Sequence, residues 1–348
     1  MTGSCAALAA SLSPAQQVGQ LFMMGVSSGG LTGRDRDVLA DRHVGAVIFL
    51  GNSTAGLAST ARLSGRVRAA ADTPRGIRTL LTVDQEGGRV QRLRGPGFDR
   101  IPSAQRQAQQ SDRELSDGAE EWGRQLSRAG VDANLAPVAD LVPPDLEQVN
   151  RPIGLLDRGY GPDPDVIAAK ATAFIRGMDR AGIATSVKHF PGLGRVRGNT
   201  DFESHVVDET TTRHDPALRG FAAGVRAEVD MVMVSSAYYD RIDPHHRAAF
   251  SPVVIGSMIR QDLGFARVVV SDDLAARAVT DLTPGQRALR FLRAGGDLVI
   301  VGNSAAAASM LRDVRAEAEN DPRFAAEVTA KATRVLALKA RRGLTDCG

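Results

Sequence analysis

The sequence predicts an α/β fold, a single (β/α)8 TIM-like barrel with no second catalytic domain. Three observations carry that prediction. Eight short apolar runs succeed one another along the 348 residues, separated by helical segments. The runs are continuous rather than alternating, as in strands buried on both faces of a parallel sheet. Three of them end in charge: Leu80-Leu81-Thr82-Val83-Asp84-Gln85-Glu86, Ser186-Val187-Lys188-His189 and Val268-Val269-Val270-Ser271-Asp272-Asp273. The carboxyl ends of parallel strands are where such folds keep their sites. No composition shift, internal repeat or low-complexity linker divides the chain, so one domain is expected over 1–348, with tails at 1–12 and 343–348.

Ser13-Pro14 reads as a helix N-cap followed by proline at the first helical position. It leads into a first buried strand over 18–26, and the second spans 44–50. The third spans 78–86, and a long loop over 87–103 precedes a charged helix over 112–129. A fourth strand covers 131–140. The Pro- and Asp-rich stretch 142–164 is another long loop, and a helix over 164–181 precedes the fifth strand, 183–189. The polar loop 192–206 follows, then strands at 229–234, 267–271 and 297–301. Gly302-Asn303-Ser304 caps a helix. A final helix over 322–342 places Phe324, Val328, Val335 and Leu338 on one stripe.

Composition excludes several classes. The chain is 43% hydrophobic and 24% charged, as expected of a folded domain with a sizeable core. The net charge is only +3, the arginines are interspersed with acids, and 4% of residues are aromatic, which argues against a nucleic-acid partner. No apolar run approaches the roughly 20 residues of a membrane span, and no basic-then-apolar leader opens the sequence. A monomer is expected. With no Cys/His ligand spacing, neither a metal nor another cofactor is expected.

The two cysteines, Cys5 and Cys347, stand near the two ends of the chain. In a closed barrel the first and last elements are neighbours, so a Cys5–Cys347 disulfide is expected, with two free thiols as the alternative. Closing so long a loop contributes on the order of 5 kcal/mol in the chain-entropy model. Such a bridge favours an exported or cell-envelope protein, with Met1 in place of a removed export signal; free thiols favour the cytoplasm.

Period-two alternation decides which strand-end groups face a central site. Asp272 and Asp273 are adjacent and should point to opposite sides. Asp84 and Glu86 share a parity, with Gln85 between them. Lys188 stands out because the only other lysines are Lys170, Lys331 and Lys339.

The segments Asp84-Gln85-Glu86-Gly87-Gly88-Arg89-Val90-Gln91-Arg92, Lys188-His189-Phe190-Pro191-Gly192 and Ser271-Asp272-Asp273-Leu274 resemble the motifs of glycoside hydrolase family 3. The likeness is greatest to its single-domain β-N-acetylglucosaminidases (β-hexosaminidases). Asn134-Leu135-Ala136-Pro137-Val138-Ala139-Asp140 and Asp157-Arg158-Gly159-Tyr160-Gly161 extend it in order along the chain. The resemblance implies a TIM-like barrel with Asp272 as nucleophile. It also implies that Asp84, Arg92, Arg158, Lys188 and His189 bind the hydroxyls and N-acetyl group of a terminal sugar. The implied reaction is retaining, through a covalent glycosyl-Asp272 intermediate.

The acid/base position departs from the pattern. The family's single-domain members resemble Lys-His-Phe-Pro-Gly-His-Gly followed by Asp-Ser-His, whose histidine is the acid/base. Here Leu193 replaces the first loop histidine, and Glu203-Ser204-His205 lies beyond a longer intervening loop. His205, oriented by Glu203, is one candidate acid/base; Asp201, which falls at the histidine position without a gap, is the rival. His205 as a solvated loop residue is the third reading, and His245-His246 looks like a surface turn.

The leading expectation is a retaining exo-β-N-acetylglucosaminidase acting on peptidoglycan-derived or chitin-derived saccharides. Two variants stay open: a weak or inactive N-acetylglucosamine-binding barrel, and a phosphorolytic form of the same chemistry. An aldolase-type Schiff base on Lys188 is the reading from a different reaction class.

Overall fold

Eight parallel strands close on themselves in the computed structural model, which describes residues 2–347. They are β1 (Phe22–Ser27), β2 (Ala46–Leu50), β3 (Leu80–Val83), β4 (Ala133–Asn134), β5 (Ala184–Phe190), β6 (Met231–Val234), β7 (Val268–Ser271) and β8 (Val299–Val301). Each pairs with the next, and β1 pairs with β8. The circle is completed between β7 and β8 by the Val270–Leu298 bridge and by the Ile300 amide donating to Ser271 Oγ at 2.9 Å. The expected barrel is therefore present, and its strands are buried on both faces.

Where element boundaries differ from expectation, local chemistry explains why. Ser13 and Gln16 form a reciprocal capping box that nucleates a helix, Pro14–Gln20. That helix absorbs Val18, so β1 begins at Phe22 rather than at 18. β3 stops at Val83; Gln85–Gly87 leaves the barrel and pairs antiparallel with Val90–Gln91. The turn needs glycine at Gly87 (φ 113°), where a Cβ would lie 2.2 Å from the Pro102 carbonyl oxygen. β4 is only two residues long because Pro137 has no N–H for the ladder. The chain still follows β5 through the Val138–Lys188 bridge.

The predicted tail at 1–12 is instead largely helical. Thr2–Ala10 forms a helix that packs on the last one, Pro322–Arg341. Cys5 and Ala9 are fully buried, and Cys5 is joined to Cys347 by a disulfide with Cα atoms 4.7 Å apart. Phe324, Val328, Val335 and Leu338 all face the core, as the stripe predicts.

The amino-terminal end of the barrel is closed by ion pairs between barrel acids and late-chain arginines. Asp297 receives Arg260 and Arg334, and Asp230 receives Arg341 and Arg342. Lys339, bonded to Gln20 Oε1 at 2.6 Å, is buried there, and desolvation pushes its ammonium down to about 7. This end holds the fold together, and the opposite end opens into a cavity.

Candidate active site

A cavity of about 810 Å³ opens at the carboxyl ends of the strands. Its floor is apolar where alternate residues point inward: Ile48 and Leu50 of β2, Met233 of β6 and Ile300 of β8, with Leu135 beside them. Around that floor stand Asp84, Arg92, Arg158, Lys188, His189, Asp201 and Asp272. The structure thus brings together residues up to 188 positions apart in the chain, Asp84 to Asp272.

One wall is a continuous chain of paired charges. Lys188 Nζ lies 2.6 Å from Asp84 Oδ1 and 2.6 Å from Glu86 Oε1. Arg158 grips Glu86 with two parallel bonds of 2.8 and 2.7 Å, the fork geometry that only a guanidinium provides. Arg158 Nη2 is 3.5 Å from His189 Nε2, and His189 Nδ1 is 2.7 Å from Asp140 Oδ2. Asp140 thus fixes the ring from its Nδ1 side, with Nε2 turned towards Arg158.

Burial alone would raise the Glu86 carboxyl and lower the Lys188 ammonium. The mutual pairing wins in both cases. Arg158 and Lys188 hold Glu86 far below the usual carboxylate range, while Asp84 and Glu86 raise Lys188. Lys188 therefore carries its charge throughout the physiological range and offers no free amine. That geometry overturns the Schiff-base reading.

The backbone explains why these side chains are aimed as they are. Gln85, of opposite parity to Asp84 and Glu86, turns away and exchanges two bonds with the Leu93 main chain, at 2.7 and 2.9 Å. Asn134 of β4 braces Gln85 from the other side with a reciprocal pair of 3.0 Å bonds. Asp140 also accepts from the amides of His189 and Leu193, fixing the end of β5. Glu86 and Asp140 are thus central, although sequence reasoning gave neither a role in the site. The available signals were the shared parity of Asp84 and Glu86 and the placement of Asp140 at the close of a strand.

Arg92 stands apart from this chain. Its Nη1 is 3.3 Å from Asn52 Oδ1, and its buried Nε has no partner among the described residues. A guanidinium held in this way keeps donor capacity for a polar ligand.

Asp272 and Asp273 both line the cavity, so the expected separation to opposite sides is not complete; their bonding is what distinguishes them. Asp273 Oδ1 accepts the amides of Ala275 (2.7 Å) and Gly302 (2.9 Å), tying the top of β7 to the top of β8. Asp272 has a single carboxylate bond among the described residues, from the Asp273 amide to Oδ1 at 2.9 Å. Its Oδ2 is left open at the cavity floor.

Over this floor lies the loop 192–206. Its base is fixed by Asn150, whose Nδ2 donates to the carbonyls of Leu193 and Val196, at 2.8 and 2.7 Å. Gly194 passes so close to Leu141 that a Cβ would sit 1.8 Å from its carbonyl oxygen. At its tip, Asn199 to Glu203 close a tight turn: the Phe202 and Glu203 amides donate to the Asn199 carbonyl, and Glu203 Oε1 accepts the Asn199 amide. The turn is pinned to the segment after β7 through Ala278 N to Thr200 O (3.0 Å) and Arg277 N to Asp201 O (3.3 Å). The loop thereby rests on the same stretch of chain that carries Asp272.

The two acid/base candidates fare differently. Asp201 lines the cavity, and its carboxyl makes no hydrogen bond or ion pair among the described residues. The residue is exposed on the turn, but on its cavity side desolvation and the neighbouring Asp272 carboxylate push its carboxyl up to about 6, against the pull of Arg158 and His189. His205 is exposed outside the cavity with its ring 5.2 Å from that of Tyr238. Glu203 bonds Arg151 and the Asn199 amide and not His205. The expected Glu203–His205 couple is not formed, because Glu203 is consumed in closing the turn.

Comparison with known proteins agrees with this geometry. Residues 15–338 match the glycosyl hydrolase family 3 N terminal domain. The chain is similar to a beta-hexosaminidase of Stenotrophomonas maltophilia (strain R551-3), 34% identical over 294 residues, covering 81% of this chain and 83% of that one. Among solved structures, it resembles the beta-N-acetylhexosaminidase from Beutenbergia cavernae DSM 12333, with a TM-score of 0.93 and 43% identity over 95% of this chain and 99% of that one. A family 3 beta-N-acetylglucosaminidase from Paenibacillus sp. str. FPU-7 gives a TM-score of 0.87 at 28% identity, over 96% of this chain and 63% of that one. With the motifs, the closed barrel and the charge-lined cavity in agreement, the chain belongs to glycosyl hydrolase family 3 and is a glycoside hydrolase.

Proposed function

We propose that the protein is a retaining exo-β-N-acetylglucosaminidase that uses Asp272 as nucleophile and Asp201 as acid/base. Its substrates are terminal β-linked N-acetylglucosamine residues of peptidoglycan-derived or chitin-derived saccharides. The observation that carries the mechanism is the pair of carboxyls at the cavity that no cation pairs among the described residues, Asp272 at the strand ends and Asp201 on the overlying loop.

The paired wall and Arg92 supply donors and acceptors for the hydroxyls and N-acetyl group of the terminal sugar, and the closed floor stops the substrate after one residue. Asp272 attacks the anomeric carbon while the bond to the leaving oxygen breaks, and Asp201 gives that oxygen its proton. Asp201, now ionised, takes a proton from an incoming water. The water oxygen bonds to the anomeric carbon and Asp272 is released. A carboxyl raised to about 6 suits both halves of this cycle near neutral pH. The Cys5–Cys347 bridge fits work outside the reducing cytosol.

Nitrophenol release from a nitrophenyl β-N-acetylglucosaminide tests the reading, with wild type, Asp272→Asn, Asp201→Asn and His205→Ala compared. Wild-type turnover abolished by Asp272→Asn supports the retaining glycosidase. Sugar binding with no turnover by wild type overturns it in favour of the binding barrel. Second-step acceleration by inorganic phosphate, with a sugar 1-phosphate as product, identifies the phosphorolytic variant.

A further inference from the structure

Three large hydrophobic side chains are exposed among the described residues: Val149 (39%), Leu155 (43%) and Phe202 (77%). Single exposed apolar residues are ordinary, but these three are not scattered. All lie on the two long loops beside the cavity. Phe202, much the most exposed, lines the cavity itself.

We infer that Phe202 is the aromatic platform on which the departing sugar ring rests, a specificity-determining residue of the leaving-group side. This rests on the glycosidase reading above, with Asp201 as proton donor. The donor must come within hydrogen-bonding reach of the glycosidic oxygen, so the departing ring begins where Asp201 stands. Phe202 is the next residue in the chain and lines the same mouth. The terminal sugar is held by charged groups on the wall, whereas the leaving-group side offers a flat apolar face. Pyranose rings present a face of C–H bonds that packs on such a surface, and aromatic linings are usual in small-molecule sites.

The turn that displays the ring is set before substrate arrives. Phe202 N donates to Asn199 O at 3.0 Å, the Glu203 amide donates to the same oxygen at 2.9 Å, and the Glu203 carboxylate is 3.0 Å from Arg151 on the opposing loop. A side chain displayed on a closed turn loses less freedom on binding than one on an open loop. Contact with the departing ring also holds the scissile bond against the donor, so part of the binding is expressed in the rate.

The test compares N,N′-diacetylchitobiose, whose leaving group is a sugar, with N-acetyl-β-glucosaminyl fluoride, whose leaving group has no ring. In Phe202→Ala the ratio of kcat/KM for disaccharide over fluoride falls about tenfold, and Phe202→Trp restores it. An unchanged ratio overturns the inference, whether both substrates are unaffected or both slow together, since a turn that merely lost its shape would slow both. If wild type cleaves neither substrate, the glycosidase reading itself has failed and the platform goes with it.

Discussion

On one side of the cavity, Asp84, Lys188, Glu86, Arg158, His189 and Asp140 form a relay in which each charge meets an opposite partner or a hydrogen bond. On the other, Asp201 stands on an exposed turn held by main-chain bonds, and its carboxyl has no protein partner among the described residues. The wall is shaped for a ligand that does not change during reaction. On the proposed mechanism, the loop carries the group whose protonation changes twice per cycle. Pairing suppresses titration and its absence permits it, so the two sides differ in the property that catalysis requires of each.

The most severe way to break this arrangement is at the floor between the two. Asp272→Asn removes the proposed nucleophile and should lower nitrophenol release by roughly 10⁴- to 10⁶-fold with little change in sugar affinity. On the loop, Asp201→Asn should slow disaccharide hydrolysis by about 10²- to 10⁴-fold. The loss should be smaller in the first step with nitrophenol, which leaves with little protonic help. The wild-type pH profile sharpens the point. Bond cleavage needs the protonated acid, so kcat/KM for disaccharide should decline as pH rises past about 6, and Asp201→Asn should lack that limb.

For the wall, the relevant measurement is stability. Lys188→Met leaves Asp84 without its ion-pair partner and Glu86 with Arg158 alone, beside a side chain that is only 2% exposed, and urea unfolding should show a loss of about 3 kcal/mol. Asp201→Asn should do the reverse. A carboxyl raised in the folded state costs stability once it ionises, so the variant should melt slightly higher than wild type above about pH 6. The gain should shrink below that pH and vanish near the ordinary value of 3.8. Smallest of all, His205→Ala should leave both activities within about twofold, as surface substitutions away from the machinery do.

The wall was largely legible in the sequence because its residues sit at strand ends, where hydrophobic runs and parity fix position. Asp84, Lys188, His189 and Asp272 were each placed by that logic or by the motifs containing them. Glu86 was harder: it lies past the end of β3, in a hairpin that depends on Gly87 and Gly88, and strand parity could not say whether it still faced inward. The loop was the least legible. Spacing and motif likeness put His205 first and Asp201 as its rival, since a turn has no period to decide between them. What separates them is a long-range fact, the bonds from Ala278 and Arg277 to Thr200 and Asp201, together with the use of Glu203 to close the turn. The barrel itself was legible, while the helix at 2–10 was not, because so short an apolar segment is defined by what it packs on.

The bridge between Cys5 and Cys347, 342 positions apart, makes nearly the whole chain a covalent ring. A protease that cuts a surface loop anywhere between them opens the ring without releasing a fragment. The nicked molecule should migrate as one piece until reductant is added, and only then as two.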